Sequence, residues 1–194
     1  MGKLVVTEFI TLDGVIEDPG GAEAFDRGGW AFRFDRGPEG DKFKLDELMA
    51  ADAQLLGRIT YEGFAQAWPA RTGLGEFAEK MNTMPKFVVS RTLDRAEWEN
   101  STIIADDVAP RVAELKAAYD GDILVAGSAQ LVRSLLADDL VDELRLMVFP
   151  VVLGAGKRLF GDAASTAPFE LAETQQTGSV AILTLRRPAE ITNP

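Results

Sequence analysis

The chain has no cysteine and no histidine among its 194 residues. That double absence removes disulfides, Cys/His zinc sites, haem with a His or Cys axial ligand, thiol nucleophiles and Ser-His-Asp triads. No metal site is expected. Positive charge is scarce as well: 20 Lys and Arg stand against 31 Asp and Glu, a formal net charge of −11. So acidic a chain repels nucleic-acid phosphates and anionic membrane surfaces, and an anionic ligand must be held by a few local donors. No apolar run is long enough for a transmembrane span, and Met1-Gly2-Lys3 leads directly into a strand-like pattern rather than a signal peptide. A cytoplasmic protein without nucleic-acid or membrane partners is the expectation. The GxGxxG dinucleotide fingerprint is also missing.

What remains is ordinary globular material, 46% apolar and 26% charged, with a length suited to about one domain. The reading is a single domain over residues 1–187 and an unpacked tail at 188–194. Lys3 to Thr11 (KLVVTEFIT) predicts a buried strand that leaves into the turn pair Asp13-Gly14. From Glu17 to Gly40, six glycines and two prolines are interspersed with Phe25, Trp30, Phe32 and Phe34. This stretch is too apolar for a linker and too irregular for one element, and a lid or substrate-side loop is expected.

Asp41 is placed as the cap of a helix carrying Leu45, Leu48 and Met49, and Ala53 to Leu56 as a strand. Thr60 is placed as the N-cap of a helix from Tyr61, and a second helical stretch runs from Glu76 to Asn82. Strands are predicted at Lys86–Ser90, Ser101–Ile104 and Asp122–Ala126. Val108, Val112, Leu115 and Tyr119 stripe one further helix, and Leu131, Val132, Leu135 and Leu136 another. The alternation predicts an α/β fold, a mostly parallel central sheet with helices on both faces. Val141–Val148 and then Phe169–Thr177 and Ser179–Arg187, joined at Gly178, predict a C-terminal antiparallel hairpin on one sheet edge.

Three predicted strand ends carry phosphate-type donors, and open α/β sheets bind ligands at the carboxyl ends of their strands. Gly57-Arg58-x-Thr60 combines close backbone approach, a helix start and a guanidinium. Ser90-Arg91 supplies a hydroxyl and a second guanidinium, and Gly127-Ser128-Ala129 offers a small-residue turn at a helix start. Each also has a plain reading: a helix cap with a surface Arg, solvated loop polarity, an ordinary tight turn. Together they point to a nucleotide.

In order, LVVTEFITLDGVIEDP, LLGRITYEGF, PKFVVSRTL, DILVAGSAQLVRSLL and VDELRLMVFPVVLGAGKRLF resemble the dihydrofolate-reductase-like superfamily, in its RibD C-terminal (riboflavin biosynthesis reductase-like) branch. The resemblance covers about residues 3 to 187. It implies a three-layer α/β fold with a C-terminal hairpin, NADPH at the carboxyl edge and a homodimer. By this resemblance Arg58 and Thr60 hold the adenosine phosphate end of NADPH, Ser90 and Arg91 sit near the 2′-phosphate, and Gly127 and Ser128 form the turn under the pyrophosphate, while Gly57 and Ala129 are expected among the cofactor-binding residues. Asp13 and Gly14 lie beside nicotinamide and substrate, and Leu153, Gly154 and Gly156 close over the substrate side.

Asp13 is the candidate to orient or protonate the substrate, or else it only forms the Asp-Gly turn. Trp30, Phe32 and Phe34 either stack on a flat heterocycle or pin their loop by a local cluster. The acid that folate enzymes carry on their first helix has Asp46 or Glu47 as counterparts, and the helix stripe places both on the polar face. Val15 follows Asp13-Gly14 where the phosphoribosylamino-pyrimidine reductases carry a basic residue, which argues against a sugar-phosphate substrate. The zinc deaminase domain often fused to those reductases needs His and Cys ligands, and deaminase activity is excluded. Hydride transfer requires neither, because the cofactor supplies the chemistry. The expected function is NADP(H)-dependent reduction of a small heterocycle, pyrimidine- or pterin-like, resembling 5-amino-6-(5-phosphoribosylamino)uracil reductase. The alternatives are an NADPH-binding sensor or scaffold without turnover and a purely structural dimeric domain.

Overall fold

In the computed structural model, which describes residues 1–71, 73, 75–161 and 166–188, runs of β-branched and apolar residues alternate with helices. The chain order is β1 (Leu4–Thr11), α1 (Gly37–Ala50), β2 (Ala51–Gly57), α2 (Arg58–Ala67), α3 (Gly75–Thr83), β3 (Lys86–Val89) and β4 (Ser101–Ile104). It continues with α4 (Val108–Ala118), β5 (Asp122–Val125), α5 (Ala129–Ala137), β6 (Glu143–Phe149), β7 (Glu170–Thr177) and β8 (Val180–Arg186).

All eight strands join one sheet in the order β4-β3-β2-β5-β1-β6-β8-β7. The six strands from β4 to β6 are parallel, while β8 and β7 run antiparallel as a hairpin turned at Gly178 and Ser179. β1 lies between β5 and β6, with Val6 opposite both Val125 and Leu144. Strand side chains alternate between faces, so each face acquires its own core. Leu4, Val6 and Ile10 pack with Leu55, Val125 and Leu146 beneath α4 and α5. Val5, Leu56, Val88 and Leu124 pack on the opposite face beneath Leu48, Tyr61 and Met81 of α1, α2 and α3. A third cluster surrounds Phe149 and includes Val15, Trp30, Val180 and Ile182.

The predicted architecture is present, and several boundaries differ. α1 begins at Gly37, with Arg36 at the N-cap and Pro38 in its first turn, so Asp41 lies inside the helix rather than capping it. α2 begins at Arg58 behind Gly57, and Thr60 falls inside the helix instead of at its cap. The segment from Glu17 onward does not stand free as a lid. The Asp18 carboxylate accepts N–H bonds from Ala22, Glu23 and Phe25 at 2.6, 3.0 and 3.3 Å, and Trp30 is buried against Phe149. Of the tail, residues 189–194 lie outside the described residues.

Candidate active site

Parallel strands deliver their carboxyl ends to one edge, where β1 ends at Thr11, β2 at Gly57, β3 at Val89, β5 at Val125 and β6 at Phe149. The three donor-bearing junctions therefore share that edge. Between β2 and β5 they touch. A Cβ placed on Gly57 would stand 2.5 Å from Ser128 Oγ, and one on Gly127 would stand 2.8 Å from Thr60 Oγ1. Only glycine lets these turns close to this distance, and Gly127 also has φ +79°, a left-handed conformation that side-chain-bearing residues rarely adopt. Gly57, Thr60, Gly127 and Ser128 thus form one cradle. α2 and α5 both start at it, and neither cap residue satisfies a first-turn N–H through its side chain. Two helix N-termini aimed at one small volume favour an anion.

Around the cradle, Arg58 is half-exposed and rests on Glu62 with N–O distances of 3.0 and 3.1 Å, a surface pair that a ligand phosphate could displace. Ser90 Oγ accepts N–H bonds from Thr92 and Leu93 at 3.2 and 3.0 Å. Its hydroxyl hydrogen remains available to a ligand acceptor. Arg91 is exposed beside it, and Ala129 is buried as the first residue of α5.

The substrate-side candidates behave differently. The Asp13 carboxylate accepts from Thr11 Oγ1 at 2.7 Å, from Leu153 N–H at 3.1 Å and from Gly154 N–H at 2.8 Å. Partial burial raises its pKa, but these donors outweigh burial and hold it at about 2. At neutral pH it has no proton to give. Its evident work is to clasp the Leu153-Gly154 turn to the end of β1, with Gly14 at φ +80° completing the turn. Trp30 is wholly buried, donates its Nε1–H to Glu17 O at 2.9 Å and meets Phe149 edge-on at 5.3 Å. Of the two readings for Trp30 the local cluster is the one present, and its ring offers no face to a ligand; Phe32 is exposed. Alongside the clasp, a groove of about 830 Å³ lies between Ala129, Gln130 and Arg133 of α5 and the turn holding Lys157, Arg158 and Phe160.

Two acids escaped the sequence reading or were misplaced by it. Glu47 was expected on the polar face with Asp46. Asp46 does pair with Lys42 at the surface, but Glu47 is buried and accepts from Thr7 Oγ1 at 2.9 Å and from Lys44. The helix sits so that its charged last turn, not only its leucines, meets the sheet. Glu8 was not singled out. It lies on β1 opposite Leu146, with Oε1 sealed from solvent and without a hydrogen-bond partner among the described residues. That oxygen is 3.8 Å from the Cβ position of Gly127, at the rim of the cradle. Burial pushes its pKa to about 8, against the pull of the Gly127 N–H and of Lys44. The available signal was the one acid inside a mostly apolar strand, KLVVTEFIT.

The sheet order and the C-terminal hairpin define an α/β protein of the dihydrofolate-reductase-like fold. Dihydrofolate reductase from Enterococcus faecalis, whose structure holds NADP(H), superposes with a TM-score of 0.62 at 17% identity, covering 96% of each chain. Within that fold the chain belongs to the RibD C-terminal domain family, which it matches over residues 2–183. It is 30% identical to the uncharacterized protein YwjB of Bacillus subtilis (strain 168), over 91% of this chain and 92% of that one. A riboflavin biosynthesis-type protein from Shewanella sp. PV-4 superposes with a TM-score of 0.75 at 22% identity, covering 97% of this chain and 99% of that one. Among the described residues no helix is long and apolar enough to cross a membrane, and no group of acids could hold a metal ion.

Proposed function

We propose that the protein is an NADP(H)-dependent reductase that transfers hydride to a small heterocycle, pyrimidine- or pterin-like. The observation that carries this reading is the cradle of Gly57, Thr60, Gly127 and Ser128. The two glycines bring backbone where any side chain would collide, and two uncapped helix starts face it. Such a site fits a pyrophosphate. Arg58 and Thr60 would hold the adenosine phosphate end, Ser90 and Arg91 the 2′-phosphate, and Gly127, Ser128 and Ala129 the pyrophosphate. The cofactor, when bound, supplies the hydride. The chain orients both reactants, and Asp13 fixes the Leu153-Gly154 turn over the substrate side rather than donating a proton. The same reading includes a homodimer, which light scattering of the purified protein checks.

Titration with NADPH and, in parallel, NADH, read by quenching of Trp fluorescence, tests the proposal. The expected outcome is micromolar NADPH binding and much weaker NADH binding. In Arg58→Ala, NADPH affinity should fall by about 1.5–3 kcal/mol, roughly 10-fold to 150-fold, the worth of a charge-assisted hydrogen bond. Absence of binding by either nucleotide overturns the assignment. NADPH that binds but is never oxidised by pterin, flavin or pyrimidine acceptors removes turnover and leaves a binding protein.

A further inference from the structure

We propose that Glu8 is a carboxylic acid built into the anion cradle, meeting the bound nucleotide as a hydrogen-bond donor in its protonated form and repelling it once ionised. The inference rests on the nucleotide reading above and adds a proton to it. Every other group at the cradle is suited to a negative ligand: backbone N–H groups at two helix starts, the Thr60 and Ser128 hydroxyls, and Arg58 close by. Glu8 is the exception, an acid whose Oε1 is sealed from water and without a hydrogen-bond partner among the described residues. A carboxylate in that place would face ligand phosphate at short range in a medium that screens poorly. A neutral acid there has one O–H to offer to a ligand acceptor.

The surroundings favour the neutral form. The flanking strands present Leu146 on β6 and Val125 on β5, both apolar. α5 begins with Ala129, and α2 contributes Thr60, with Arg58 turned to Glu62. The charged groups that Glu8 feels are Lys44 and Glu47 of α1 and Glu23 of the long loop. Lys44 favours ionisation, but it is already committed to Glu47 and Thr7, and the two glutamates oppose it. Burial dominates, and Glu8 keeps its proton up to about pH 8. Above that pH nucleotide binding must first return a proton to Glu8, so binding takes up as much as one proton and weakens as pH rises.

The test uses the full chain and NADPH. Its dissociation constant is measured from about pH 7 to about pH 9.5, above the range near 6 where the ligand's own 2′-phosphate titrates, and proton uptake on binding is read in weakly buffered solution. In the wild type the constant should rise by up to about tenfold per pH unit above pH 8, with uptake approaching one proton. In Glu8→Gln the profile should be flat, uptake near zero, and binding at high pH tighter than wild type. A wild-type constant that does not change with pH, or equal uptake in the two proteins, overturns the proposal while leaving the nucleotide site intact. No NADPH binding at any pH overturns the nucleotide reading and this one with it. The wild-type profile and uptake decide the matter even if Glu8→Gln does not fold.

Discussion

Two glutamates of the same sheet, buried Glu143 and half-buried Glu8, are treated in opposite ways. Glu143, at the amino end of β6, is 1% exposed and accepts from Arg145 Nε at 2.6 Å and Arg186 Nε at 2.9 Å. Burial raises its pKa, yet the guanidiniums outweigh burial and hold the carboxyl below its ordinary range. Arg145 also bonds Asp122 at 2.7 Å and approaches Glu47 at 3.9 Å, so with Arg186 five charged side chains are tied together. Glu8, on β1 opposite Leu146, has an orphaned oxygen and, among the described residues, no cation in hydrogen-bond contact. The same side chain is thus a closed structural charge on β6 and an open acid on β1. Partners, more than burial, separate an acid held charged from one pushed toward its neutral form.

The comparison breaks most visibly at the closed end. Arg145→Met should destabilise the protein by about 3–5 kcal/mol in urea unfolding, because buried Glu143 is left with Arg186 alone and half-buried Asp122 loses its cation. A loss well below that would mean the cluster is solvated and the contrast with Glu8 is one of degree only. At the open end the sign reverses. An acid whose folded pKa is raised from 4.5 to about 8 gives stability that is complete below pH 4.5 and is lost as pH rises to about 8. The expected slope is up to about 1.4 kcal/mol per pH unit between those limits, and Glu8→Gln should abolish it. Denaturant midpoints at about pH 5 and about pH 8, compared between the two proteins, measure the difference. The smallest effect belongs to the clasp. Asp13→Asn keeps the shape and loses the charge, which should cost about 1 kcal/mol at neutral pH. That contribution is complete above 3.8 and disappears as pH falls through about 2, so acid unfolding curves of the two proteins should converge at the low end.

The layers of this fold were legible because each rests on a local pattern that survives packing. Val5 and Leu124 fall on one sheet face and Val6 and Ile123 on the other, as alternation requires, and Gly178 turns the hairpin where expected. The cradle was half-legible. Gly57 and Gly127 announce tight turns, but that the two turns meet depends on β2 pairing with β5, a long-range fact no local window holds. Thr60 was misread as a cap because a hydroxyl before a periodic run usually is one. Here Gly57 takes the cap and Thr60 turns to Gly127. Glu47 was misplaced because its helix carries only a weak stripe, and the Thr7 and Lys44 partners that fix its burial lie on other segments or on the same polar row. Glu8 went unremarked because a strand interior is read for its apolar residues, although the one acid among them carried the information.

β1 sits in the centre of the sheet, yet both strands that flank it, β5 and β6, follow it in the chain only after β2, β3 and β4. A chain elongating at roughly 5–20 residues per second must run on for on the order of ten seconds before either neighbour of Leu4–Thr11 emerges from the ribosome. During that interval an apolar segment with unsatisfied backbone waits for its partners, and the cradle beside it does not exist until β5 and the start of α5 have been made. Nascent-chain folding of this protein is therefore a problem of holding its first strand safe, a task that falls to the ribosome surface and the cell's chaperones.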